Sequence, residues 1–277
     1  MAKTRVRINS AHVIITGGSS GIGLATARLL TARGARVSLV ARRPDHLQAA
    51  AKALRATGAT VAFRAADVAD QQALASALAE LEEEQGPCDV LITSAGIARP
   101  GHFLELPDDV FRQAIEINYF GTLHAIRAIA PGMVKRRHGS IVAVSSTAGL
   151  IGVFGYTAYA SSKFAVGGLM EALRAELRPH HVHASIVYPP DVDTPLLAEE
   201  EQWKPDETRA ISSSIKPLHA GKVATAIIAG IERGKFGISA DPGTRALARF
   251  GNILAPLLNH TFDRRVDTVA KQRHKTQ

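Results

Sequence analysis

Tyr159 and Lys163 stand four residues apart in Tyr-Ala-Ser-Ser-Lys, so a helix there presents both on one face. A free phenol titrates at about pH 10 and exchanges its proton slowly at neutral pH. A fixed ammonium beside it stabilises the phenolate and draws that pKa toward the working range, as a general acid requires. Ser146 ends the preceding strand, close to the edge where open α/β sheets bind ligands, and its hydroxyl can hydrogen-bond a carbonyl. A Tyr/Lys pair on a helix is common by chance and, taken alone, reads as structural. The surrounding elements must decide.

The first of these is a glycine-rich turn, Thr16-Gly17-Gly18-Ser19-Ser20-Gly21-Ile22-Gly23, between a strand and a helix. Residues without Cβ let backbone N–H groups approach a pyrophosphate, and the helix N-terminus adds partial positive charge. Gly17, Ser19, Ser20, Gly21 and Ile22 are the expected contacts; an ordinary strand-to-helix connection is the plain alternative. The next strand ends in Ala41-Arg42-Arg43, where NAD sites place an acid for the ribose 2′-hydroxyl. Guanidinium groups there suit a 2′-phosphate instead, so NADPH and the reductive direction are expected, with Arg42 as the clamp and His46 one turn on. A solvated arginine pair is the alternative. Asp67 and Val68 end the third strand and are placed to meet the adenine, although a helix N-cap is an equally ordinary task for Asp67 or Asp70.

Short β-rich apolar runs alternate with helical patterns, the mark of repeated βαβ units. Strands are expected at His12–Thr16, Arg36–Ala41, Thr60–Ala65, Asp89–Thr93, Ser140–Ser145 and Val182–Tyr188. Helices are expected at about Gly21–Arg33, Gln71–Gln85, Asp108–Arg136, Thr157–Arg178 and Ala220–Arg233. The fold class is α/β: a doubly wound parallel sheet of Rossmann type, helices on both faces, in a single domain. Residues 1–244 form the catalytic domain with a lid at about 190–216, and residues 245–277 form a basic amphipathic tail.

Charge and composition narrow the setting. Of the net +8, the tail carries an excess of +5 and Lys3, Arg5 and Arg7 another +3, leaving residues 8–244 neutral. A basic stripe on the folded face, as a nucleic-acid binder needs, is absent from this pattern. Charge gathered at the ends fits an anionic membrane surface better. A single cysteine, Cys88, excludes an intramolecular disulfide and points to a reducing compartment. No apolar run approaches the roughly 18 residues of a membrane span, and the start lacks the apolar core of a secretory signal. The His180-His181-Val182-His183 run reads as solvated histidines rather than a metal site. A cytoplasmic protein, peripheral on the inner membrane face, is the expectation.

The glycine turn, Asn118, Ser146, Tyr159 and Lys163 together resemble the short-chain dehydrogenase/reductase family in order and spacing, over about residues 10–240. The resemblance implies Tyr159 as general acid, Lys163 lowering the tyrosine pKa and holding the nicotinamide ribose, and Ser146 orienting the carbonyl. It implies that Asn118 holds a water linking Lys163 to solvent, and that Val192 and Thr194 follow the loop at the nicotinamide. Two departures stand out. Thr93-Ser94-Ala95-Gly96 replaces the family's Asn-Asn-Ala-Gly, so Thr93 must brace the strands differently, and Pro189-Pro190 replaces Pro-Gly.

The stretches from Tyr188 to Pro195, from Ala198 to Glu200, from Lys204 to Arg209 and from Phe154 to Tyr159 resemble 3-ketodihydrosphingosine reductases of sphingolipid biosynthesis. That implies a long-chain amino-ketone substrate. Asp191 or Asp193 could pair with its ammonium, and Leu196, Leu197 and Trp203 could face its chain. Equally, Asp193 could cap the lid helix and the apolar residues close onto the core. The tail's Leu247, Phe250, Ile253, Leu254, Leu257 and Leu258 suit either a membrane interface or a sister subunit in a homo-oligomer. A reductase of another ketone (a 3-oxoacyl thioester or a steroid) and a non-catalytic NADPH sensor stay open as alternatives.

Overall fold

β1 (His12–Thr16) is buried along its whole length. Val13 and Ile15 join the core on one side of the sheet and Ile14 the core on the other, the alternation of a strand covered on both faces. The computed structural model describes residues 6–213 and 215–276; Lys3 and Arg5 of the basic start lie outside them. Further strands are β2 (Arg36–Ala41), β3 (Val61–Ala65), β4 (Val90–Thr93), β5 (Gly139–Val144), β6 (Val182–Val187), β7 (Val192–Asp193), β8 (Leu218–His219) and β9 (Gly237–Ile238). Seven of them form one parallel sheet in the order β3-β2-β1-β4-β5-β6-β9. The chain winds outward from β1 to β3 and then returns to β1's other side with β4. Connections therefore leave β1 and β4 in opposite directions, and a crevice opens at their carboxyl ends. This is the doubly wound sheet expected above.

Helices α1 (Gly21–Thr31), α2 (Pro44–Arg55) and α9 (Ala220–Arg233) cover one face through residues such as Leu30, Leu54 and Ile227. On the other face lie α3 (Gln71–Gln85), α5 (Gly121–Arg136) and α6 (Thr157–Leu177), through Leu78, Ile129 and Met170. The helix expected over 108–136 is interrupted: α4 (Asp108–Ala114) passes through a π-helical segment, Ile115–Phe120, before α5 begins. Asn118 lies in that widened turn, a kind of irregularity often found at functional sites. β9 was not expected, because two residues are too few to carry a pattern.

The lid is built from α7 (Pro195–Glu200) and α8 (Asp206–Ser212). β7 and β8 pair in parallel at its two ends and staple it shut at the base. The tail is a helix, α10 (Pro242–Thr276), broken at Phe250. It begins before the expected boundary at residue 245 and packs on α8. The guanidinium of Arg265 donates to the carbonyls of Ala210 and Ile211 at 2.9 and 2.6 Å, satisfying acceptors that a helix end leaves open. Among the described residues no helix is long and apolar enough to cross a membrane.

Candidate active site

At the carboxyl end of β1 the chain turns through Gly17, whose φ of +68° favours glycine. A Cβ there would stand 2.6 Å from the Ala95 nitrogen, so the turn lies directly on the loop after β4. A Cβ on Gly23 would collide with the Gly17 carbonyl, which keeps the start of α1 close against the turn. Ser20 precedes α1 in an extended conformation and makes no side-chain cap, leaving the first N–H groups free of a competing side chain. The structure thus supplies a glycine cradle at a helix start, and a nicotinamide dinucleotide fits it. Gly17, Ser20, Gly21 and Ile22 line the cavity that follows; Ser19 does not.

The adenosine end is more open. Arg42 is exposed and reaches Asp67 only at 4.0 Å. The helix cap falls to Asp70, which accepts from the N–H groups of Gln72 and Ala73 at 3.0 and 2.9 Å, while Asp67 accepts from Ala69 at 3.0 Å. His46 is exposed in the first turn of α2. Val68 departs from expectation: it is buried with its side chain against Gly121, so it offers little surface to a ring.

Lys163 and Tyr159 project from the first turns of α6, the ammonium 5.6 Å from the centre of the phenol ring. Lys163 is buried and donates to the Val144 carbonyl at 3.1 Å. Ser145 donates to the Lys163 carbonyl at 3.0 Å, which ties α6 to the end of β5. Ser146 hydrogen-bonds Tyr159 and accepts from the Ala148 N–H at 3.1 Å. The electrostatics correct one expectation. Burial pushes the Tyr159 pKa up, the charges of Glu200 and Asp191 push it further, and only the bond to Ser146 opposes them. Burial also draws Lys163 down to about 8. The protein alone therefore holds the phenol protonated rather than easing its ionisation, because loss of solvent and the two carboxylates outweigh the bond to Ser146.

Asn118 is fully buried and its amide is committed elsewhere. It accepts from the Ile97 N–H at 2.8 Å and donates to the Ile97 carbonyl at 3.0 Å and to Ser162 at 2.9 Å. Its side chain braces the loop after β4 against α6, and it meets Lys163 at Gly96, where a Cβ would stand 3.0 Å from the Asn118 Oδ1 and 3.4 Å from the Lys163 Nζ. Thr93 also departs from expectation: its buried hydroxyl has no partner, so strand bracing at this point comes from the backbone ladder alone. The Pro189 carbonyl accepts from the Thr147 N–H at 2.9 Å, which holds the double-proline loop beside Ser146. Val192 is buried, and Thr194 caps α7 by accepting from Leu197 at 3.3 Å.

These residues open onto a cavity of about 560 Å³. Ser146, Tyr159, Lys163 and Asp191 line it, while Asp193 is exposed and caps nothing. Ile151, Val153, Leu196, Leu197, Ile211 and Ile215 give apolar walls, and Leu247, Leu258 and Phe262 of α10 complete them. Trp203 is not part of the lining: it is half-exposed beyond α7, with the Arg99 guanidinium 4.5 Å over its ring. Sequence reasoning missed Glu200, Tyr156, Asp241 and the α10 contribution. The four-residue interval from Glu200 to Lys204 was the one available signal. Among the described lining residues three carboxyls, of Asp191, Glu200 and Asp241, face one amine, that of Lys163.

Sheet order, glycine cradle and the Ser-Tyr-Lys cluster define a nicotinamide-dependent oxidoreductase fold. The short chain dehydrogenase profile matches residues 11–205, and the chain belongs to that family. It is 38% identical over 261 residues to 3-dehydrosphinganine reductase of Danio rerio, covering 92% of this chain and 79% of that one. It is 40% identical over 256 residues to 3-ketodihydrosphingosine reductase of Mus musculus, covering 91% and 77%. Among solved structures, a short chain dehydrogenase/reductase from Burkholderia phymatum in complex with NAD superposes with a TM-score of 0.81 at 26% identity, covering 92% of this chain and 95% of that one. Actinorhodin polyketide ketoreductase with NADPH gives 0.79 at 29%, covering 86% and 98%.

Proposed function

We propose that the protein reduces the 3-keto group of 3-ketodihydrosphingosine to give dihydrosphingosine, with NADPH as reductant, in sphingolipid biosynthesis. The cavity carries this reading: acidic groups act on Tyr159, and apolar side chains make up much of the lining around it. A long-chain amino-ketone has the matching arrangement, a cation beside the ketone and a hydrocarbon tail. An acyl thioester on an anionic carrier gains nothing from Asp191 or Glu200, and a sensor has no need of an assembled Ser-Tyr-Lys cluster. The names of the relatives agree.

The dinucleotide supplies the hydride when bound. Gly17, Ser20, Gly21 and Ile22 would hold its pyrophosphate, and Lys163 its ribose. Ser146 donates a hydrogen bond to the ketone oxygen, and Tyr159 gives that oxygen its proton. A phenol held protonated by burial suits a donor. Asp191, in the cavity and raised in pKa chiefly by burial, faces the substrate's ammonium. Preference for NADPH rests on Arg42, exposed and weakly held at the end of β2.

A cytoplasmic enzyme working at an inner membrane face is part of the same proposal. α10 turns Leu247 and Leu258 inward to the cavity and leaves Phe250, Ile253 and Leu257 exposed beside Arg245 and Arg249. An outward apolar ridge flanked by cations suits an anionic bilayer, where a sphingoid ketone would reside. The test is NADPH oxidation with 3-ketodihydrosphingosine against a panel of ketones lacking the amine. Equal or better turnover of the amine-free ketones would overturn the substrate assignment.

A further inference from the structure

The lid helix α7 ends in a buried acid to which the reading so far gives no role of its own. Glu200 is 7% exposed and lines the reaction cavity. The Tyr156 hydroxyl hydrogen-bonds it, and the Tyr156 ring stands 5.8 Å from that of Tyr159. Glu200 is therefore linked through one aromatic ring to the group that meets the ketone oxygen. A structural ion pair with Lys204 accounts for it only in part. The Lys204 ammonium lies 3.7 Å from Glu200 but makes its close hydrogen bond to the neighbouring Glu201. A carboxylate accepts at about four lone-pair positions; Tyr156 takes one and Lys204, at 3.7 Å, faces another, which leaves capacity for a further donor from the cavity that Glu200 lines. Removing an acid from water to this degree is unfavourable unless a cation meets it. Lys204 meets that need in part, because its ammonium is shared with Glu201, and Lys163 is held against Val144, so a cation in the cavity would be a second partner for Glu200.

We infer that Glu200 is the specificity residue for the amine: its carboxylate accepts the ammonium on the carbon beside the ketone, with Tyr156 fixing its rotamer. This rests on the amino-ketone reading and adds a second acceptor to Asp191. One carboxylate could attract a cation from any direction, whereas two on different elements, the loop after β6 and α7, fix its place relative to Tyr159.

The experiment compares Glu200→Gln and Tyr156→Phe with the unaltered protein on two ketones of equal chain length, one with the amine and one without. Glu200→Gln should lower kcat/KM for the amino-ketone by on the order of 10–100-fold, the range of a charge-assisted hydrogen bond, and lower that for the amine-free ketone far less. Tyr156→Phe, which keeps the ring, should erode the same preference several-fold and serves if the first variant does not fold. An undiminished preference in these variants, or equal losses on both ketones, overturns the assignment. If the unaltered protein itself shows no preference for the amine, the amino-ketone reading fails and takes this inference with it.

Discussion

Replacing Glu200 with glutamine should make the protein more stable at alkaline pH while impairing it as an enzyme. Burial is the main cause of the carboxyl's move from 4.5 to about 7, aided by the charge of Asp191 and opposed by Lys204. A folded-state pKa raised above the unfolded one means that the unfolded chain sheds its proton first. Stability attached to the protonated form is whole below about pH 4.5 and is lost as pH rises through about 7. At pH 8 the loss from such a shift is about 3 kcal/mol. Glutamine cannot ionise and keeps a similar shape, so the variant should recover up to that amount, less the burial of its amide. For a domain of this size that corresponds to a rise in Tm of roughly 6–12 °C at pH 8. The gain should shrink toward zero near pH 4.5. Lys204 keeps Glu201 as its partner, so no unpaired buried ammonium is created. Thermal unfolding at pH 5 and pH 8, with and without the substitution, reads the difference directly. Destabilisation that grows with pH would show that Glu200 is a net-favourable ion-pair partner of Lys204, and the reasoning would fall.

Three further outcomes follow from the same geometry. Tyr159→Phe removes only the proton donor and should lower turnover by ~10²–10⁴-fold while NADPH still binds, as nucleotide fluorescence can report; retention of more than about a tenth of the activity would move the acid role elsewhere. Arg42→Ala should weaken NADPH by roughly tenfold or more and leave NADH nearly unaffected, because only the former has a 2′-phosphate for the guanidinium; equal effects would make Arg42 structural. Changing Phe250, Ile253 and Leu257 together to serine should abolish salt-sensitive co-sedimentation with anionic vesicles and spare reduction of a short soluble amino-ketone, since these side chains are exposed; undiminished sedimentation would place the contact on another surface.

Much of this was legible where local pattern and chemistry coincide. β1, β2, α3 and α9 fall at their expected residues because continuous apolar runs and helical spacing leave one solution. The Ser146, Tyr159 and Lys163 cluster was legible for the same reason: a strand end and a four-residue helical interval fix it locally. What escaped reading depends on distant segments. β9 is two residues long and exists because β6 offers an open edge. α10 was read as a tail standing apart, since its apolar spacing cannot tell a membrane from α8 and the cavity. Trp203 illustrates the converse: an aromatic in the lid looked like a wall for the alkyl chain, but Arg99, from the loop after β4, stacks on it outside the cavity. The direction of the Tyr159 shift was misjudged because sequence shows the nearby lysine and hides both the burial and the two lid-side carboxyls.

Those carboxyls join recognition to chemistry. Without substrate, Asp191 and Glu200 hold the Tyr159 proton tightly, because a phenolate beside two acids in a buried site is doubly disfavoured. An ammonium arriving between them offsets their charge at the moment the ketone reaches Ser146. The same contact that recognises the amine then lowers the free energy of the phenolate that proton donation leaves behind. A ketone of equal length without the amine can occupy the apolar walls yet cannot cancel those charges. Part of the preference for the amine should therefore appear in kcat, which uniform binding does not raise. A preference confined to KM would separate the two roles and leave Asp191 and Glu200 as binding groups only.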